Sequence, residues 1–388
     1  MTNTRHGPLA GFRVIEMSAL GPVPFAGMML ADLGADVIRI DRTGGNDLGL
    51  PMDESCDIMQ RGKRSIKVDV RNPHGRDVVL DLVAYADVLL EGMRPGAMER
   101  LGLGPDECMV QNPRIVYGRM TGWGQTGPLA QAAGHDINYI SLNGVLHSVG
   151  LAGGPPILPI NLVGDYGGGS MFLVAGILAA LLETRNTGEG KVVDAAMIDG
   201  SSYLLTAVHL FAGAGMWSQE RGTNFLDSGA PFYCVYETLD GKYMSVGAIE
   251  PKFYGEFVAG LGLDISVLPQ PLDKRKWPEL KNTFAEAFAQ KTRDEWTEVF
   301  SARDACVTPV LSVIEAQEHE HNKARDSFVK VAGTVRPNVA PRFVGDDLSA
   351  DADVCLSGSN TREILGDLTY DEERIDQLVE QGIVELAG

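Results

Sequence analysis

The stretch FRVIEMSALGPVPFAGMMLADLGADVIRID, residues 12–41, decides the fold. FRVIEM (12–17) reads as a strand, and PFAGMMLADLG (24–34) has helical spacing with Gly34 placed to cap its C-terminus. ADVIRID (35–41) is the next strand. The same alternation continues through SIKVDV (65–70), a helix over 73–86, DVLLEG (87–92) and RIVYGRMTG (114–122). Apolar strands separated by helices imply an α/β fold: a mainly parallel, Rossmann-like sheet covered on both faces. Ligands of such sheets bind beyond the carboxyl ends of the strands. Those ends carry Asp41, Arg42, Arg71, Arg94 and the GWGQTG loop.

The first strand–helix turn, MSALGPVPF, tests for a dinucleotide site. A dinucleotide fingerprint needs GxGxxG there, so that backbone can approach the pyrophosphate. One glycine and two prolines do not supply it, and no GxxxxGK[ST] follows elsewhere. The pattern is Rossmann-like without Rossmann chemistry.

The 388 residues, 44% hydrophobic and 22% charged, have the composition of a globular protein with two or three domains of material. A formal charge of −19 argues against nucleic acid and against an anionic membrane surface as partners. A local basic pocket for a phosphorylated ligand remains compatible with it. The five cysteines are scattered without metal-ligand spacing, which points to free thiols, a reducing compartment and no zinc site. The start of the chain lacks the apolar core of a signal peptide, and the longest apolar run, Met171–Leu182, is 12 residues, short of a bilayer. The expectation is a cytoplasmic protein without membrane insertion, with peroxisomal or other organellar import equally compatible.

Residues 43–62 read as a loop, and 171–217 as an apolar helical stretch broken at 186–191. From about 225 the texture changes to a hairpin, GAPFYCVYETLDGKYMSVGAIE, turning at Asp240-Gly241, then to acidic helices. The tail gives two amphipathic helices with Ser359 or Asn360 as cap. The expected layout is a large domain of 1–200 plus 326–388, a linker at 201–224 and a smaller α+β domain at 225–325.

GHDINY (134–139) offers His135 as the best acid–base candidate, because imidazole titrates near working pH. A lone histidine is more often structural. His6 and His74 sit in polar segments, His209 in an apolar helix, His319 and His321 in a charged one; His135 differs from these in lying among glycine and polar residues in a loop at the end of the sheet. In VGDYGGGS, Asp165 precedes three glycines and a long apolar helix. Asp165 could simply cap that helix. Alternatively, the glycines, poor helix formers, leave N–H groups bare at the positive helix end, where an enolate could sit beside a carboxylate. Arg42, Lys63, Arg64, Arg71, Arg94 and Arg100 recur near strand ends of an acidic chain, which favours a phosphate-bearing ligand over six solvated charges.

The succession GADVIRIDR, EGMRPGAMERLGLG, RMTGWGQTGP, GHDINYISLNG, VGDYGGGSMFLVAGILAAL, GKVVDAAMIDG and VGAIEPKFY, in order from about residue 8 to the C-terminus, resembles the family III CoA-transferase superfamily and, within it, the α-methylacyl-CoA racemases. The resemblance implies two chains interlocked as a homodimer, each active site lying between one chain's large domain and the other's small domain. It implies His135 and Asp165 as a two-base pair, Glu250 tuning the histidine, and Asp136 close by. CoA contacts are implied at Arg42, Val68, Asp69, Val70, Arg71, Gly92, Met93, Arg94 and Arg100, and at Gly134, Ile137, Asn138 and Tyr139 of GHDINY. The implied reaction interconverts (2R)- and (2S)-2-methylacyl-CoA through an enolate. It uses no metal or redox cofactor, since CoA enters as part of the substrate. The rival within the superfamily is a CoA-transferase with Asp165 as nucleophile, and a non-catalytic acyl-CoA binder is the rival of another class.

Overall fold

The computed structural model describes residues 6–45 and 53–387. The chain divides into two compact units, one of residues 1–143, 160–204 and 320–388, the other of 144–159 and 205–319.

The first unit is built on six parallel strands, β1 (Arg13–Met17), β2 (Asp36–Asp41), β3 (Arg64–Val68), β4 (Val88–Glu91), β5 (Val116–Thr121) and β6 (Lys191–Ala196). They lie in the order β3-β2-β1-β4-β5-β6, and the C-terminal strand Val384–Glu385 adds antiparallel to β3. The order reverses at β1/β4, the switch point where doubly wound sheets hold ligands. Because side chains alternate along a strand, β1, β2, β4 and β5 each feed two cores. Ile15, Ile38, Ile66, Leu89 and Tyr117 pack with the helix Pro73–Ala84 and the C-terminal helices on one face. Val14, Val37, Val88, Leu90 and Val116 pack with the helices Pro22–Asp32 and Met171–Thr187 on the other. The helix after β1 opens with Pro22 at its start and ends before Gly34, which takes φ +98°.

Five of the described strands escape the sequence reading: Lys191–Ala196, Val307–Pro309, the paired Phe328–Val331 and Thr334–Pro337, and Val384–Glu385. Lys191–Ala196 becomes β6 instead of helix; at the sheet edge it is largely exposed and shows no apolar alternation. Val384–Glu385 is two residues long. Of the expected loop 43–62, residues 46–52 lie outside the described residues; Glu54–Cys56 and Ile58–Gln60 form 3-10 turns. The 12-residue apolar run is part of a 26-residue continuous helix, Leu162–Thr187, whose most apolar 18-residue window has a mean hydropathy of 1.5, enough by length and composition to cross a bilayer. Half of its most apolar window is buried, with Leu173, Val174, Ile177, Ala180 and Leu181 in the sheet's core, so it packs as a core helix.

The second unit holds a three-stranded antiparallel sheet, Tyr233–Glu237, Tyr243–Gly247 and Val307–Pro309. The first two form the expected hairpin, with Gly241 at φ +71° in its turn. Its core is aromatic: Phe232, Tyr236, Phe257, Phe284, Phe288, Trp296 and Phe300 pack together under the helices Pro251–Gly260, Trp277–Phe288 and Arg293–Ser301. The unit boundaries differ from the expected domains. Residues 144–159 join the second unit, since Arg221 donates from Nε to the His147 carbonyl and from Nη1 to the Gly154 carbonyl, each at 2.8 Å. The expected linker 201–224 is helical at Met197–Leu204 and Thr206–Gly213, one helix in each unit.

Candidate active site

Asp165 does not cap a helix. The helix begins at Leu162 after Asn161, and Leu162–Ser170 is π-helical, each turn closed over five residues. Such turns are rare and concentrate at functional sites. Gly167, Gly168 and Gly169 therefore lie inside the helix and present no bare N–H groups at its start. Their reason is close packing. A Cβ on Gly168 would stand 2.4 Å from the Ser201 nitrogen, and one on Gly200 would stand 1.9 Å from the Gly168 carbonyl oxygen. The helix Met197–Leu204 thus rests backbone to backbone on the π-helical turn.

Two of the N–H groups at the helix start are already taken. The Asp165 N–H donates to Asp136 Oδ2 at 2.8 Å, and the Gly164 N–H bonds to the same carboxylate. Asp136 is buried, and burial raises its carboxyl above the usual range against the pull of these two N–H groups. Gly164 has no side chain because a Cβ there would meet Asp136 Oδ2 at 2.2 Å. The sequence assigns Asp136 a place nearby, and the structure makes it the anchor of the π-helical turn.

The Asp165 carboxyl itself is half-buried. Burial raises its pKa, the Asn161 amide at 3.1 Å and His135 oppose the rise, and Asp136 reinforces it. Asn161 escaped the sequence reading, although it stands four residues before Asp165 in the same NLVGD stretch. Gly21, at φ +67° in the turn after β1, leaves room for the carboxylate, since a Cβ would lie 3.2 Å from Oδ2. His135 precedes the helix Asp136–Leu142 and is exposed, and its N–H is held by Asn138 Oδ1 at 3.0 Å. The structure thus brings His135, Asp136, Asn161 and Asp165 together at the carboxyl end of β1. Glu250 belongs to the other unit, exposed at the start of the helix Pro251–Gly260.

The basic residues divide. Arg42, Arg71 and Arg100 line one cleft of about 380 Å³ with Thr43, Val68, Asp69, Val70, Met93, Ala97 and Leu101. The cleft is built by the turns after β2, β3 and β4, which flank the turn after β1 that holds Asp165. Lys63 and Arg64 do not belong to it. They sit at the amino end of β3, where Lys63 is fully buried 2.8 Å from Glu16 and Arg64 bonds Asp36, Glu363 and Asp367. Other expected contacts lie outside the cleft lining. Arg94 is exposed. Gly92 packs on Val23, and Gly134 packs on Trp123 and Tyr139. Tyr139 is buried, its hydroxyl donating to the Gly134 carbonyl, while Ile137 is 42% exposed.

Residues 9–346 match the model of CoA-transferase family III. The chain is 43% identical over 380 residues to the α-methylacyl-CoA racemases of mouse and of human, covering 97% of each chain. Its fold matches the crystal structure of a CAIB/BAIF family protein from Brucella suis with a TM-score of 0.81 at 26% identity, over 93% of this chain and 99% of that one. A parallel-rich sheet with the ligand-side cleft, and a family match over most of its length, lead to one statement: the chain belongs to CoA-transferase family III.

Proposed function

We propose that this protein is a 2-methylacyl-CoA racemase, an isomerase that moves the α-proton of a thioester between two faces of an enolate. The observation that carries this reading is the meeting of His135 with a half-buried Asp165 on the sheet edge that also forms the arginine cleft. The 43% identity to racemases over nearly the whole chain supports the same reading.

The chemistry follows from the placement. Arg42, Arg71 and Arg100 meet the phosphates of CoA, and the thioester reaches toward the turn after β1. One group removes the α-proton from one face, and the other, protonated, returns a proton to the opposite face. Racemisation runs both ways, so each group must be acid and base in turn. Burial raises the Asp165 carboxyl above its ordinary value, the direction in which a carboxylate takes up a proton more readily. The enolate oxygen needs donors other than the Gly164 and Asp165 N–H groups, which are held by Asp136. The reaction consumes no cofactor, since CoA is part of the substrate.

A homodimer completes the site in this reading, with Glu250 of a second copy tuning His135. Exposed apolar surface supports a second copy. The apolar helix Thr206–Gly213 has no buried residue, and Tyr203, Leu210, Ile160 and Leu151 are each more than 60% exposed. Incubating a 2-methylacyl-CoA in heavy water tests the function. The α-hydrogen exchanges, His135→Ala and Asp165→Asn lose exchange by about 10²-fold or more, and both keep CoA binding. Trapping of an acyl-enzyme by hydroxylamine without exchange would overturn the reading in favour of transferase chemistry at Asp165.

A further inference from the structure

Glu91 ends β4 with its side chain wholly buried, at the carboxyl edge of the sheet where the cleft begins. Its two oxygens are used differently. Oε2 accepts the Met93 N–H at 2.6 Å, and Oε1 accepts Arg119 Nε at 3.0 Å. The β4–β5 register sets Glu91 opposite Arg119. Arg119 then reaches on, with Nη1 2.8 Å from Glu99 Oε1. Glu99 sits on the helix Ala97–Arg100. One carboxylate thus ties a cleft-lining turn to β5, and one guanidinium ties β5 to a cleft-lining helix.

Everything the cleft takes from the β4 side hangs between these two bonds: Met93, Ala97, Arg100 and Leu101. A buried charge pair is a poor way to add stability, because desolvation consumes most of the attraction. An apolar residue at 91 would fill the space between β1 and β5 without that cost, yet it could neither accept the Met93 N–H nor align Arg119. Tyr117 and Glu99 also face Glu91, and Asp194 faces Arg119 from β6.

We propose that Glu91 is a positioning residue for CoA: through the Met93 N–H and the Arg119–Glu99 relay it holds the β4 side of the cleft, Arg100 included, in the geometry that binds the nucleotide. The inference rests on assigning the cleft to CoA, and the experiment separates the two.

Binding of free CoA is titrated calorimetrically to the full-length protein and to Glu91→Gln, Glu99→Ala and Arg71→Ala, alongside kcat and KM for α-hydrogen exchange and thermal melting. Glu91→Gln weakens CoA binding and raises KM by about tenfold with kcat within twofold, as expected when supported groups are misplaced. Glu99→Ala, a partly exposed link, gives about threefold in the same direction. A folded Glu91→Gln with unchanged Kd and KM, or with a fall in kcat alone, overturns the inference. If Glu91→Gln does not fold, Glu99→Ala decides: unchanged CoA affinity overturns the relay. Unchanged affinity in Arg71→Ala would instead overturn the cleft assignment itself, and the inference with it.

Discussion

The strand β3 carries basic residues at both ends, and their surroundings are opposite. At its amino end Lys63 is fully buried against Glu16, and Arg64 Nη2 stands 2.6 Å from Asp36. At its carboxyl end Arg71 is exposed and faces the cleft with Arg42 and Arg100. The amino-end charges are consumed by partners of the same chain. The carboxyl-end charges have a solvent-facing hollow in front of them. In a parallel sheet all strand ends of one kind lie on one side, so direction along the strand sorts the ion-paired cations from those that line the cleft.

The largest test of this contrast is Lys63→Met. Removing one partner of a buried pair leaves Glu16 without its hydrogen-bonded cation, with only Arg39 acting on it from farther off, and should cost about 3 kcal/mol or more in denaturant unfolding. A loss under about 1 kcal/mol would mean that the amino end is not held by that pair. The second test uses Glu91, whose carboxyl burial pushes up to about 7 from 4.5. A carboxyl raised in the folded state binds its proton more tightly there than in the unfolded chain. Its contribution is therefore most favourable below pH 4.5 and is lost as pH rises through about 7. Relative to Glu91→Gln, the unsubstituted protein should lose up to roughly 3 kcal/mol across that window. An identical pH profile for the two would refute the assignment.

Third, Arg71→Ala should weaken CoA binding about tenfold, or ~1.4 kcal/mol, with the melting temperature unchanged. The smallest effect belongs to Arg64→Ala, whose carboxylate partners are partly exposed. It should lower stability by about 1 kcal/mol, less at high salt, and leave CoA affinity alone. Should Arg64→Ala weaken CoA binding as strongly as Arg71→Ala, the contrast between strand ends would collapse.

The sheet was legible because its inner strands are short apolar runs bounded by turns and caps: Arg13–Met17, Asp36–Asp41 and Val88–Glu91 each appear within the stretch read for them. Lys191–Ala196 was not, because an edge strand exposed on one side carries Lys and Asp where alternation should be. At the site, GHDINY and VGDYGGGS stand out by residue type, and the structure brings both together. What residue type cannot convey is hydrogen-bond direction. The glycines looked like bare donors but serve the contact with Gly200, and the donors at the helix start face Asp136. Asn161 and Glu91 were missed for a related reason, since each acts through a neighbour four or fewer residues away or one strand across.

The π-helical stretch Leu162–Ser170 also sets how the chain tolerates changes of length. A turn closed over five residues holds one residue more than the α-helix into which it runs. That surplus is a phase shift, worth about 100° of rotation per residue on an α-helix. Losing one residue between Leu162 and Asp165 would let the stretch relax to α-helix, with Met171–Thr187 still seated on the sheet. The carboxylate would swing away from Gly21, and the fold and the arginine cleft would survive. A single codon therefore decides whether the Asp165 carboxylate stays beside Gly21.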